Sequence, residues 1–134
     1  MVLKQLIPML NVSDIDASLA FYHDALGFEV VSDPVAVREW RWATIRSGST
    51  ELMLSQTENG PGLEQCDDPH ADTSWPTIFY FYPDDVERLY AEVIAAGFEP
   101  TALIDTIYGM REFSLRDPDG HLLSFGQDSP GEEE

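Results

Sequence analysis

Basic residues are scarce in this chain. Of 134 residues, seven are Lys or Arg and twenty-five are Asp or Glu, a formal net charge of −18. A field of that sign repels nucleic acid and anionic membrane, so neither is expected as a partner. Solubility or adaptation to high salt accounts for such acidity, and a pocket for a cationic ligand is the sharper alternative. Cysteine is nearly missing as well. Cys66 alone excludes an intrachain disulfide and fits a reducing compartment. No apolar run approaches a membrane span, and the first residues lack the charged and apolar regions of a secretory signal. The expectation is a soluble cytoplasmic protein. Gly-x-Ser-x-Gly and a glycine-rich phosphate loop are both absent, which removes the standard nucleophile and nucleotide signatures.

What is present is a repeat. "VSDIDASLAFYHDALGF" (12–28) aligns without a gap with "YPDDVERLYAEVIAAGF" (82–98) at an offset of 70, pairing Asp14 with Asp84, Leu19 with Leu89, Gly27 with Gly97 and Phe28 with Phe98. Each copy reads as an acidic start, an amphipathic helix, a glycine stop and an aromatic strand start. In the first helix Ser13 is the expected N-cap, with Asp16 in a capping-box position. Its apolar stripe is Ile15, Leu19, Tyr22 and Leu26; in the second helix the stripe is Val86, Leu89, Tyr90, Val93 and Ile94. Gly27 and Gly97 suit the left-handed residue that closes a helix.

Strand-like segments precede and follow each helix. The first set is Leu3–Val12, Phe28–Ser32, Glu39–Ser47 and Thr50–Gln56; the second is Thr77–Tyr82, Phe98–Asp105, Tyr108–Arg116 and His121–Gln127. The expected fold class is α+β, two tandem βαβββ modules forming curved mixed sheets around a cavity. One domain over 1–128 is expected, with module one at about 3–56, a Pro- and Gly-rich linker at about 57–76 and module two at about 77–127. An acidic tail, 129–134, follows.

Two hairpins carry the informative faces. Ser47-Gly48-Ser49-Thr50 predicts a type II′ turn with Gly48 at its first central position, so that Ile45 faces Leu52, Ala43 faces Leu54 and Arg46 faces Glu51. Side chains then sort into an apolar face (Ala43, Ile45, Leu52, Leu54) and a mixed face (Trp40, Trp42, Thr44, Arg46, Glu51, Met53, Ser55). The mixture on the second face suits a small-molecule pocket, and equally a core or a dimer interface. Asp117-Pro118-Asp119-Gly120 predicts a tight turn leading into the last strand. That strand turns Leu123 and Phe125 to one side, and Leu122, Ser124 and Gly126 to the other.

"LNVSDIDASLAFYHDALGFEVV" and "DPDGHLLSF" resemble the first strand and helix and the final hairpin of the vicinal oxygen chelate superfamily. That superfamily includes glyoxalase I, extradiol dioxygenases, and fosfomycin- and bleomycin-resistance proteins. "YGMREFSLRDPDGHLLSF" is most similar to the bleomycin-resistance branch, with Tyr108 where that branch often has Trp. The metal-dependent members hold four ligands at positions that the resemblance carries onto Ile7, Glu51, Thr77 and Ser124. One carboxylate with an aliphatic group and two hydroxyls does not make a catalytic metal site. No metal, no cofactor and no catalytic residue are therefore expected, and Ser124 is expected to face open space. Two other donor groups read weakly. "CDDPH" (66–70) packs donors into one linker without a spaced partner pair, and His23 near a helix C-terminus complements the dipole. His121 is expected at the surface.

The resulting expectation is a metal-free binder of the bleomycin-resistance type, sequestering a cationic or aromatic antibiotic-like ligand. The family analogy implies a homodimer with pockets at its interface. By that analogy each pocket draws on Trp40, Trp42, Glu51, Met53, Thr77, Phe79, Phe81, Arg111, Phe113 and Ser124. Two alternatives stand beside it: a metal-dependent glyoxalase- or dioxygenase-type enzyme, and a binder of a metabolite unrelated to resistance.

Overall fold

The computed structural model describes residues 1–61 and 77–130. The "CDDPH" segment, most of the expected linker and the last acidic residues lie outside them. The chain divides into two compact units, Met1–Leu63 and Glu64–Glu134.

The first unit runs β1 (Met9–Val12), α1 (Ile15–Leu26), β2 (Glu29–Val30), α2 (Pro34–Trp40), β3 (Trp42–Ser47) and β4 (Thr50–Gln56). Its sheet has the order β1-β4-β3-β2, with β1 parallel to β4 and the other pairs antiparallel. The β3–β4 register is the one the turn chemistry predicts: Arg46 opposes Glu51, Ile45 opposes Leu52 and Ala43 opposes Leu54. Gly48 has φ +60° and Ser49 is not left-handed, the pattern of a II′ rather than a I′ turn. Ala43, Ile45, Leu52 and Leu54 are all buried, joined by Leu10 and Val12 of β1 and by Ile15 and Tyr22 of α1. Burying each of the large side chains contributes about 1.5–3 kcal/mol.

Helix α2 corrects the expected strand start at Glu39. Asp33 caps it, accepting from the Val35 N–H at 2.9 Å, Pro34 occupies its first turn and Arg41 ends it in the left-handed region, φ +52°. An Asp-Pro pair is a helix-start signal in its own right, since proline fixes φ and needs no hydrogen bond there. Helix α1 starts one residue later than expected. Asp14, not Ser13, is its N-cap, accepting from the Asp16 and Ala17 N–H groups. Its buried face is Ile15, Ser18, Phe21, Tyr22 and Ala25, with Leu19 and Leu26 at the margin. Strand β1 is shorter than Leu3–Val12. Pro8 accepts from the Met53 N–H but has no N–H to return, and the ladder stops there.

The second unit runs β5 (Phe79–Phe81), α3 (Val86–Ala95), β6 (Ile104–Asp105), β7 (Met110–Arg116) and β8 (Leu122–Asp128), with sheet order β5-β8-β7-β6. Neither sheet closes on itself. Val86 and Val93 of α3 are buried, and Tyr90 meets Phe113 edge-on at 5.2 Å. Phe81, Phe125 and Phe113 stack in sequence on this helix side. The expected strand Phe98–Asp105 survives only as β6. Pro100 interrupts it, and Thr101 bonds both backbone groups of Ser114 through its own N–H and Oγ1.

The two units repeat one device. The Gln56 side chain accepts from the Ile15 N–H at 3.0 Å, and the Gln127 side chain accepts from the Val86 N–H at 2.7 Å. Each glutamine at a strand end thus satisfies a helix N–H that has no partner within its helix.

Candidate ligand-binding faces

In the first unit the sheet face turned away from the helix-packed core carries Trp42, Thr44, Arg46, Glu51, Met53 and Ser55 as expected, with Met9 beside Met53. Trp42, Thr44 and Met53 are partly exposed, presenting an indole and a thioether to whatever approaches. Trp40 does not continue this strand face. It ends α2, with 72 % of its surface exposed. Glu51 is already engaged: Arg46 donates to its Oε1 at 2.6 and 2.9 Å, and Gln5 reaches Oε2 at 3.4 Å. His23 lies in the last turn of α1 beside Asp24.

In the second unit the β5–β8 register sets Phe79 beside Leu123, Tyr80 beside Ser124 and Phe81 beside Phe125. Phe79 and Phe81 therefore lie on the side of Leu123 and Phe125. Ser124 lies on the other, with Tyr80. Phe79 and Phe81, expected in one pocket with Ser124, are therefore on the opposite side of the sheet from it, because strand side chains alternate; Thr77 lies before β5. Phe113 is fully buried on the helix side. Arg111 is held by Asp105 at 2.8 and 3.0 Å and by Glu87. The hydrogen bond from Arg111 holds the Asp105 carboxyl below its ordinary pKa. Ser124 does not face open space: it is buried, with its Oγ 2.8 Å from that of Ser114. A cavity of about 420 Å³ lies beside Ser114, lined also by Phe98, Thr101, Arg116 and Leu122.

His121 is likewise buried rather than at the surface. Its Nδ1 lies 2.7 Å from Asp117 Oδ2, and its ring meets Phe79 edge-on. Asp117 Oδ1 accepts from the Asp119 and His121 N–H groups, so one carboxylate organises the whole turn.

The residues that sequence reasoning missed lie on the Ser124 side. Glu112 is only 2 % exposed and accepts from the Tyr80 hydroxyl at 2.7 Å and the Tyr108 hydroxyl at 2.5 Å. Burial, and after it the adjoining Glu112 carboxylate, raises the pKa of both phenols. Tyr80 fits because Gly126 lies beneath it: a Cβ at 126 would fall 2.0 Å from the Tyr80 Oη. Tyr82 flanks Tyr80 with ring centroids 5.2 Å apart. The signal was the alternation in "FYFY" (79–82). Rings without a hydroxyl face the helix, and rings bearing one face away.

The units also fix which positions correspond. Ile15 and Val86 are the first helical residues after Asp14 and Asp85, and Gln56 and Gln127 bond their N–H groups. The strand offset is therefore 71 (14 to 85, 56 to 127), one more than the sequence alignment gave. At that offset Ile7 corresponds to Ile78 and Met53 to Ser124. Thr77, the equivalent of Ile7 at an offset of 70, is not its equivalent at 71. Among the described residues no three His, Cys, Asp or Glu side chains converge as a metal site.

The model of the glyoxalase/bleomycin resistance protein/dioxygenase superfamily matches residues 4–125. The chain belongs to this superfamily. Within it, a bleomycin resistance protein of Geobacillus stearothermophilus is 32 % identical over 129 residues, covering 92 % of this chain and 96 % of that one. A bleomycin-binding protein from bleomycin-producing Streptomyces verticillus, solved with copper(II)-bleomycin, shares 26 % identity at a TM-score of 0.64, with 98 % of this chain and 99 % of that one covered. TioX from Micromonospora sp. ML1 has the same fold, with TM-score 0.72, 23 % identity and coverage of 94 % and 99 %. Among the described residues no helix is long and apolar enough to cross a membrane.

Proposed function

We propose that this superfamily member is a metal-free binding protein that sequesters a bleomycin-like antibiotic, a cationic or aromatic ligand. The observation that carries the reading is the corrected set Ile7, Met53, Ile78 and Ser124. Aliphatic groups, a thioether and a hydroxyl stand where a metal-dependent relative needs N or carboxylate donors. Similarity to bleomycin resistance proteins over nearly the whole chain supports it. Trp42 and Met53 supply an aromatic and polarisable contact surface, with Trp40 and Glu51 at its margin. A homodimer accompanies the reading. Met1, Val2, Leu3 and Leu6 are exposed apolar side chains, an edge suited to a second copy. One domain over 1–128 and a cytoplasmic location complete it.

Bleomycin titration followed by tryptophan fluorescence tests the proposal, together with elemental mass spectrometry of dialysed protein. Saturable binding with less than about a tenth of an equivalent of metal is expected. Trp42→Ala weakens binding about tenfold, near 1.4 kcal/mol, while the dimer persists. Unchanged affinity removes Trp42 from the pocket. About one equivalent of metal per chain, with turnover lost to a chelator, makes an enzyme the better reading.

A further inference from the structure

Glu51 is the carboxylate that the sequence offers to a cationic ligand, and Arg46 already neutralises it. The second unit holds a different arrangement. Tyr80, Tyr82 and Tyr108 expose 36 %, 76 % and 64 % of their surfaces, while the carboxylate beneath them is buried. Two of the three hydroxyls donate to that carboxylate. We propose that Tyr80, Tyr82 and Tyr108, gathered over Glu112, form a subsite for an organic ammonium group of the ligand.

The physical case has three parts. A cation is drawn to the face of an aromatic ring, and several rings around one point recognise methylated ammonium groups. Each phenol that donates to a carboxylate is polarised toward its ring, which deepens the negative potential of that ring. The carboxylate lies out of water, so its attraction for a nearby cation is screened less than that of a surface Asp or Glu. Gly126 is the enabling residue, since any side chain there would displace Tyr80 from Glu112. The overall charge of −18 raises the local concentration of cations but selects no position, whereas the tyrosines do.

The subsite deepens the antibiotic-binding reading by naming where a cationic group sits, and it rests on that reading only for the rest of the ligand. The probes are choline and its neutral carbon isostere, 3,3-dimethylbutan-1-ol, titrated into the full chain and followed by NMR. Bleomycin is titrated separately. Choline is expected to shift the resonances of residues 80, 82, 108 and 112 saturably, and the neutral alcohol to leave them unmoved. Tyr82→Leu, at an exposed position, is expected to weaken choline binding about two- to fivefold. Glu112→Gln is expected to remove the preference for the cation. Equal binding of the two probes overturns the proposal, as does the absence of saturable shifts, or choline binding that Tyr82→Leu leaves unchanged. Bleomycin bound without a choline response rejects the subsite alone. Choline bound at these residues without bleomycin binding supports the subsite and rejects the antibiotic reading.

Discussion

Replacing Gly126 with alanine tests the least redundant contact in the second unit. Gly126 has no left-handed φ, so alanine is compatible with the backbone there. The obstacle is spatial. The new Cβ would lie 2.0 Å from the Tyr80 Oη, 2.8 Å from Cζ and 3.2 Å from Met110 Cε. The methionine methyl yields easily, and so does the tyrosine, whose ring reaches solvent. The phenol must then leave the Glu112 carboxylate.

Losing a hydrogen bond to a charged group costs about 1.5–3 kcal/mol. Against this, alanine restricts the unfolded chain more than glycine does, a gain of about 0.4–1 kcal/mol. The balance is a loss of about 1–2 kcal/mol, or about 3–8 °C in Tm for a chain of this length. Urea unfolding monitored by circular dichroism reads it directly. The decisive comparison uses Tyr80→Ala as background, where Gly126→Ala should be neutral or slightly stabilising because nothing rigid remains above residue 126. An equal loss in both backgrounds would place the penalty in the strand itself and refute the argument.

Asp117→Ala leaves two N–H groups and the His121 ring without their acceptor, and should cost about 2–4 kcal/mol, read as a lower urea midpoint at unchanged slope. A change under about half a kcal/mol would refute the role given to that carboxylate. The raised phenol of Tyr80 predicts alkaline sensitivity. The native state keeps a proton that the unfolded chain releases near pH 10, so this contribution is full below the ordinary tyrosine pKa and lost as pH rises through the native one. The phenolate absorbance step removed by Tyr80→Phe should therefore lie above that of free tyrosine, and a step at the ordinary value would count against the Tyr80–Glu112 bond.

Much of the fold was legible because local signals agreed. Gly48 between two alternating runs fixed the β3–β4 register residue by residue, and Gly27 closed α1 where it was expected, at φ +72°. What escaped was where two signals competed. Glu39, Trp40, Arg41 and Trp42 read as strand by composition, but the Asp33-Pro34 start and a left-handed Arg41 make the first two helical. His121 was assigned to the surface because it follows a turn. Its burial depends on Asp117 reaching back to it, and spacing alone does not reveal such a contact. In the Tyr80–Glu112–Tyr108 cluster the last two residues share one segment, but Tyr80 comes from another, and only the pairing of β7 with β8, and of β8 with β5, brings it to Glu112.

The repeat shows how much a single residue decides. Aligning the helices by their closing glycines gives an offset of 70, since Gly27 and Gly97 both take positive φ. Aligning them by their N-caps gives 71, because the second helix is the shorter one. The strands follow the N-caps, through the glutamine side chains that tie β4 to α1 and β8 to α3. With alternating side chains the first offset, which carries Ile7 to Thr77, sends that position to the helix side. The second nominates Ile78 and Met53, and no carboxylate remains at any of the corresponding positions. Glu51 is still close, on the same face as Met53 and two residues away, but Arg46 and Gln5 already hold both of its oxygens. A metal at Glu51 would have to displace a guanidinium, and the next position on that face offers only a thioether. The same face is well suited to lie flat against an aromatic ligand. The corresponding positions thus carry a thioether, a hydroxyl and two aliphatic groups, and it is the register that identifies them.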